Sequence, residues 1–172
     1  MTRLPPVPYE EWDTQALIPM TGGRKVPPSN VLGLLLNHPA LASAFLTFNT
    51  HLLAHNSLPA KARELVILRV AWRRRSRYEW AQHVLIGRRA GVSEEELAQI
   101  RTGAGTLMNR AVDELEDTSS LSDGTYAELA EELDQRQLMD LVFTVGAYGV
   151  LAMAFNTFEL EMDPGLDDAG FQ

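Results

Sequence analysis

The sequence predicts a single all-α domain, and three observations support that class. Apolar residues between positions 31 and 160 recur at three- and four-residue spacing, which places them on one face of a helix. Capping signals stand where several of these segments begin. No stretch alternates apolar and polar residues as a half-buried strand would. With 172 residues and an apolar fraction of 45%, the chain is long enough to bury one substantial core.

The first 55 residues are predicted to form an arm followed by two helices. Residues 1–30 hold six of the nine prolines, and proline lacks a backbone donor, so this arm should have no regular structure. A short helix is predicted over 31–36. Pro39 suits the first turn of a longer helix that ends near His55. Its buried face is expected to consist of Leu41, Phe45, Phe48 and Leu52.

Three further helices are predicted in the central part of the chain. The first begins after Pro59. The second spans 78–90 and ends at Gly91, because glycine is the usual residue just past a helix end. Ser93 with Glu96 has the spacing of a capping box, which opens the third helix and carries it to about position 101.

The remaining segments complete the predicted domain. They are a loop at 102–105, a helix at 107–115, a polar break at 116–124 and a helix near 126–133. Asp134 and Gln137 then open a long helix that ends near Leu160. Residues 163–172 are predicted to form a frayed tail. We therefore divide the chain into an arm at 1–30, a helical domain at 31–162 and a tail at 163–172.

Composition excludes several classes of function. The net charge is −8, from 15 basic and 23 acidic residues, which argues against nucleic-acid binding because that needs a basic surface. The arginine-rich run at 73–77 is expected to be ion-paired or subunit-facing. The chain has no cysteine, so disulfides, thiol catalysis and cysteine–metal sites are excluded. No other metal site or cofactor motif is evident, and we expect neither group.

The expected location is the cytoplasm. Prolines and acidic residues occupy the N-terminal positions where an export signal needs an apolar core. No apolar run is expected to span a membrane. The best candidate, 138–158, contains Asp140, Gly146 and Asn156, and we interpret it as a buried helix.

Acidic and basic side chains interrupt two otherwise apolar helices between positions 58 and 100. Glu64 lies in the first, and Glu79 and His83 lie in the second. Because residues four apart share a helix face, Glu79 and His83 can point into one space. A carboxylate beside an imidazole can transfer protons near neutral pH. A hydrogen-bonded surface or interface pair would give the same pattern, and Glu64 could instead form a salt bridge with a nearby arginine.

At this point the sequence resembles a known family. Residues 58–100 are similar to the carboxymuconolactone decarboxylase family, which includes the AhpD proteins. The shared order is Arg-Glu at 63–64, an apolar helix, a short link, a histidine at 83 and Gly-Val-Ser-x-x-Glu at 91–96. The flanking segments at 38–41, 137–148 and 155–156 extend the resemblance over most of residues 30–162. It implies an AhpD-like helical bundle that forms a homo-oligomer, either a trimer or a hexamer.

The resemblance also implies where the functional residues lie. Redox members of the family carry a glutamate, a C-x-x-C pair and a histidine, which fall here on Glu64, on Ser76 and Glu79, and on His83. Serine and glutamate cannot form a disulfide, so thiol peroxidase activity is not expected. The acidic and imidazole groups suit proton transfer beside a carbonyl, and Tyr78 or Ser76 could donate a hydrogen bond to the substrate.

The expected function is therefore that of a cofactor-free lyase or isomerase acting on a small organic acid, lactone or carbonyl compound. His83 could be the base or the acid. Glu79 could orient it or act as the second acid/base, and Glu64 could set either pKa. The alternative is a non-catalytic helical scaffold or a small-ligand-binding module that lost the redox cysteines. A cavity that holds the three groups would favour the enzyme.

Overall fold

A computed structural model describes residues 2–103 and 105–171 of the chain. The described residues form helices, short 3₁₀ turns and loops, with no β-strand among them. The predicted all-α class is therefore confirmed. Met1, Ala104 and Gln172 lie outside the described residues, so the structure does not cover one position of the predicted 102–105 loop or the two ends of the predicted arm and tail.

Nine α-helices run through the described part of the chain. Their bounds are α1 Ile18–Thr21, α2 Asn30–Leu35, α3 Pro39–Ala54, α4 Ala60–Arg73, α5 Arg77–Arg89, α6 Glu94–Thr102, α7 Leu107–Thr118, α8 Asp123–Glu132 and α9 Gln135–Phe158. Both predicted capping boxes are present. Ser93 and Glu96 exchange backbone–side-chain hydrogen bonds at the start of α6, and Asp134 and Gln137 do so at the start of α9.

Helix α4 is the centre of the bundle and packs against α5, α6, α7 and α9. Two arginines, one on α4 and one directly after its end, pair with acidic residues of α7. Arg69 makes a bidentate ion pair with Asp113 of α7, at 2.7 and 2.8 Å. Arg74 pairs with Glu116 of the same helix at 2.7 Å. In the arginine-rich run, Arg73 and Arg77 are also paired, with Asp117 and Asp168, while the guanidinium of Arg75 lies over the Phe171 ring. Ion pairing within the chain, one of the two expected roles, is thus found for three of the four arginines.

The buried face of α3 differs from the predicted one. Leu52 is buried as predicted, but Leu41 and Phe48 are 57% and 39% exposed, and Ala42 and Leu46 face the core instead. Helix α3 is apolar on two faces, and periodicity alone does not tell which face meets the core. The outer face joins exposed residues of α9 to form an apolar stripe. It consists of Leu41, Phe48, Met139, Val142, Phe143, Val150 and Met153.

The predicted arm contains more regular structure than expected. Residues 9–11 and 14–17 form 3₁₀ turns, and α1 follows directly. Trp12 donates from Nε1 to the carbonyl of Val7 at 2.9 Å, which closes the first turn against the arm. The arm also lies close to α2, where a Cβ added to Gly33 would be 2.7 Å from Pro6 Cβ. Proline therefore excluded long helices here, but not short turns held by tertiary contacts.

The non-helical segment Glu159–Phe171, which we term the C-terminal strap, packs across α5. Asp168 forms an ion pair with Arg77 at 2.8 Å. The Phe171 ring packs edge-on against Trp72, with the ring centroids 5.1 Å apart. The prediction of a frayed tail is thus wrong for these residues, because the contacts that fix them come from residues distant in sequence.

Helix α9 is long and apolar enough, by length and composition, to cross a membrane, which differs from the expectation drawn from the sequence. However, 56% of its most apolar window is buried inside the fold. Asp140 near its start accepts hydrogen bonds from the backbone and hydroxyl of Ser57, both at 2.6 Å, and contacts His51 at 3.0 Å. These features are those of a core helix in a compact helical fold.

Candidate functional site

The packing of α4 against α5 brings two of the predicted site residues into direct contact. Glu64 lies on α4 and is fully buried, and His83 lies on α5 and is 7% exposed. Their side chains meet with Glu64 Oε2 2.7 Å from His83 Nδ1. The two residues are 19 positions apart, so this contact depends on how the helices pack and not on spacing within one helix.

Glu64 is held as a carboxylate by its neighbours. Burial raises its pKa, but the hydrogen bonds and charges of His83 and Arg63 outweigh burial and hold the pKa below its ordinary value. Arg63 Nε donates to Glu64 Oε1 at 2.9 Å, and its Nη1 donates to the carbonyl of Leu53 at 2.8 Å. An ionised Glu64 accepts the Nδ1 proton of His83, so Nε2 carries the lone pair of the neutral imidazole.

Glu79 has the opposite electrostatic character. It is 2% exposed, and neither carboxyl oxygen has a hydrogen-bond partner among the described residues. Burial raises its pKa well above the ordinary value; the charge of Arg74 lowers it and that of Glu116 raises it further. Desolvation therefore favours the neutral carboxylic acid, which retains a proton to donate.

Glu79 and His83 line one cavity of about 180 Å³. Glu64 does not line it and lies behind the imidazole. His83 Nδ1 faces Glu64, and Nε2 makes no hydrogen bond with a described residue, which leaves it directed at the cavity. Leucine, isoleucine, valine, methionine and phenylalanine side chains from α1, α2, α3, α5 and α9 supply most of the remaining wall.

The structure reassigns the pair expected from spacing. Glu79 and His83 do share one space, as their four-residue separation predicted, but they do not hydrogen-bond to each other. The carboxylate that orients His83 is Glu64.

The two residues expected to bind substrate are placed differently. Tyr78 lines the cavity, but its hydroxyl donates to Asp163 Oδ2 at 2.7 Å, and burial with this bond raises its pKa to about 12. Ser76 is fully buried, does not line the cavity, and its hydroxyl has no hydrogen-bond partner among the described residues. A direct substrate contact for either residue stays a prediction.

Four polar residues in or beside the cavity were not identified as site residues from the sequence: Asn49, Gln82 and Tyr148 line it, and Asp163 accepts hydrogen bonds from two lining residues. Tyr148 of α9 lines it with its ring edge-on to His83, at 5.0 Å between centroids, and burial and the charges of Glu64 and Glu79 raise its pKa. Gln82 lines it one turn after Tyr78, a spacing that could have revealed it. Asp163 of the C-terminal strap accepts from Gln82 Nε2 at 2.9 Å, and no local pattern indicates this contact.

The arrangement provides both parts of an acid–base reaction. His83 Nε2 can accept a proton from a molecule in the cavity, while ionised Glu64 stabilises the imidazolium that forms. Neutral Glu79 can donate a hydrogen bond to an oxygen on which negative charge develops, since a buried carboxylic acid is a donor that water does not compete with.

Comparison with known proteins agrees with the fold and the segment that holds the site. Residues 39–109 match the model of the carboxymuconolactone decarboxylase family. No curated protein gives a significant match.

Two solved structures share the fold over nearly the full chain. An uncharacterized peroxidase-related protein from Silicibacter sp. TM1040 is 15% identical with a TM-score of 0.76, over 99% of this chain and 96% of that one. A variant of the debrominase Bmp8 in complex with 2,3,4-tribromopyrrole is 15% identical with a TM-score of 0.69, over 95% and 92% of the two chains.

Proposed function

We propose that this chain, whose residues 39–109 match the model of the carboxymuconolactone decarboxylase family, is a cofactor-free lyase or isomerase. It moves a proton beside a carbonyl group of a small organic acid, lactone or related compound. The observation that carries the proposal is the Glu64–His83 contact of 2.7 Å behind a cavity that His83 and Glu79 both line.

In this proposal His83 is the base. Its Nε2 removes a proton from the carbon next to the carbonyl, and the resulting imidazolium is stabilised by Glu64 through Nδ1. Glu79 donates a hydrogen bond to the carbonyl oxygen, and this bond strengthens as the oxygen becomes an enolate. Return of the proton to another carbon gives isomerisation, and loss of a leaving group gives elimination.

Hydrogen exchange tests this chemistry before the natural substrate is known. Small lactones, cyclic ketones and β-keto acids are incubated with the protein in D₂O, and loss of the α-proton signal is followed by ¹H NMR. Release of CO₂ is recorded in parallel to detect decarboxylation. The proposal requires at least one compound to exchange or react faster with the protein than without it. A complete absence of acceleration across the panel favours the non-catalytic scaffold.

Variants then separate the roles of the groups. His83→Ala should reduce the rate by ~10²–10⁴-fold, the usual contribution of a positioned base. Glu79→Leu should cost about 10²–10³-fold, the usual contribution of an oxyanion donor, while Glu79→Gln should retain part of the rate because the amide still donates. His55→Ala, which removes an exposed imidazole at the end of α3, is the matched control and should leave the rate unchanged. Equal losses in the two Glu79 variants would exclude its role as a hydrogen-bond donor.

We further propose that the chain assembles as a homo-oligomer, a trimer or a multiple of it, through the apolar stripe. Seven large apolar side chains of the stripe are each 39–58% exposed on two adjacent helices, an arrangement typical of interaction surfaces. Phe143→Glu should reduce the particle mass measured by light scattering. Leu85→Glu changes an exposed leucine of α5 outside the stripe and should not.

The compact helical fold, with α9 packed inside it, supports a cytoplasmic location as part of the same proposal. Fractionation of the producing cells tests this, because a membrane-bound chain would sediment with the lipid fraction.

A further inference from the structure

The polar groups around the cavity differ in one respect from those of a site for organic acids. Among the described residues that line it, none is lysine or arginine. Histidine is the only lining type able to carry a positive charge near neutral pH, and His83 directs its Nδ1 at Glu64.

The nearest arginine does not compensate for this. Arg63 lies behind the wall, where its Nε contacts Glu64 and its Nη1 contacts the carbonyl of Leu53. Its charge is therefore balanced by Glu64 and directed away from the cavity. The carboxylate of Asp163 accepts from Tyr78 and Gln82, which engages two of the lining donors that could otherwise meet an anion.

The charge balance at the cavity is thus neutral to negative. The charges of Arg63 and Glu64 cancel, Asp163 adds a negative charge beside the lining residues Tyr78 and Gln82, and Glu79 adds another whenever it ionises. The burial of an ionised carboxylate without a cationic partner costs several kcal/mol. The rest of the wall supplies no positive charge. Apart from the amide of Asn49 and the hydroxyl of Tyr148, which are neutral, it consists of apolar side chains such as Leu32, Leu46 and Phe155.

Resting on the proposed function, we propose that the cavity selects uncharged, ring-sized carbonyl compounds and rejects carboxylates. An apolar cavity of about 150 Å³ accommodates benzene, so about 180 Å³ accommodates one ring with a small polar substituent. The carbonyl oxygen meets Glu79, the carbon beside it meets His83 Nε2, and the ring lies against the leucines. Among the compound classes of the proposed function, lactones and ketones are therefore substrates and free organic acids are not.

Benzamide and benzoate form the matched pair of probes. They have the same size and shape, and at pH 7.5 they differ in charge. We expect isothermal titration calorimetry to show that benzamide binds at least tenfold more tightly than benzoate. Equal affinity, or a preference for benzoate, overturns the charge selectivity. Failure of both probes to bind at millimolar concentration overturns the assigned ring-sized class.

A gain-of-binding variant tests the same reasoning in the opposite direction. Ile86 lines the cavity on α5 and is partly exposed, so a lysine there can extend into the cavity without being fully buried. Ile86→Lys should raise the affinity for benzoate at least tenfold and leave that for benzamide little changed. Leu85→Lys adds the same charge at the neighbouring exposed position, outside the cavity lining, and should change neither affinity.

The binding measurements require no turnover, so the two proposals can fail separately. Charge-selective binding without hydrogen exchange in any compound would refute the catalytic proposal alone. Exchange that proceeds equally well with carboxylates, together with equal binding of the two probes, would refute the selectivity alone.

Discussion

Replacement of Glu79 by glutamine should make the chain more stable at neutral pH, although it alters a buried polar residue. The carboxyl group is almost fully buried without hydrogen-bond partners, and burial raises its pKa well above the ordinary 4.5. In the unfolded chain this group ionises freely above pH 4.5. In the folded chain it must keep its proton or ionise without solvation.

The sign of the effect follows from this difference. A carboxyl group with a raised folded-state pKa contributes stability that is complete below its unfolded pKa and is lost as the pH rises through its folded pKa. Each pH unit in that interval lowers the free energy of unfolding by roughly 1–2 kcal/mol. This corresponds to a decrease of about 3–6 °C in Tm for a chain of this size. The glutamine side chain does not titrate. The gain in free energy of unfolding of Glu79→Gln over the wild-type chain should therefore be absent near pH 4 and should grow above pH 4.5.

Urea denaturation from pH 4 to pH 8 measures this difference directly. The lowered pKa of Glu64 acts in the opposite direction, since its stabilisation is lost as the pH falls below its ordinary range, but it is common to both chains and cancels. Glu131→Gln, an exposed position on α8 with the same change in charge, is the control and should run parallel to the unchanged chain. A constant difference for Glu79→Gln across the range would refute the assignment of a neutral, desolvated acid.

Three further predictions concern the parts of the fold that hold the site in place. Asp113→Asn should lower the free energy of unfolding by about 3 kcal/mol in urea titrations, because it leaves the buried guanidinium of Arg69 without its bidentate partner. Gly33→Ala should lower the thermal midpoint, since the added Cβ would lie 2.7 Å from Pro6, and such overpacking costs roughly 1–3 kcal/mol. Phe171→Ala should shift tryptophan emission to longer wavelength, because its ring covers two of the three tryptophans.

Sequence reasoning succeeded where the signal is local. Helix starts marked by Ser93 and Asp134 were predictable because capping depends on residues three positions apart. The placement of Glu64 on one helix, and of Glu79 and His83 on the next, was also predicted from local periodicity. The family resemblance supplied the expectation that the two helices contribute to one site.

The pairing within the site was not predictable from spacing. The four-residue rule indicates that Glu79 and His83 share a face, but it cannot rank that neighbour against a carboxylate brought in by another helix. The opposite pKa shifts of Glu64 and Glu79 have the same origin. Both are buried carboxyl groups in apolar segments, and only tertiary packing decides which of them contacts an arginine and the imidazole of His83.

The cavity wall is built from two parts of the chain, and residues in one part can be substituted separately from those in the other. The groups proposed to move protons lie within 39–109, whereas Val31 and Leu32 before that segment, and Leu151 and Phe155 after it, shape the space they act on. Substitutions in these flanks would alter which molecule fits without disturbing the Glu64–His83 contact. For enzyme engineering, this makes the N-terminal helices and α9 the places to diversify when a new ligand is sought from the same reaction centre.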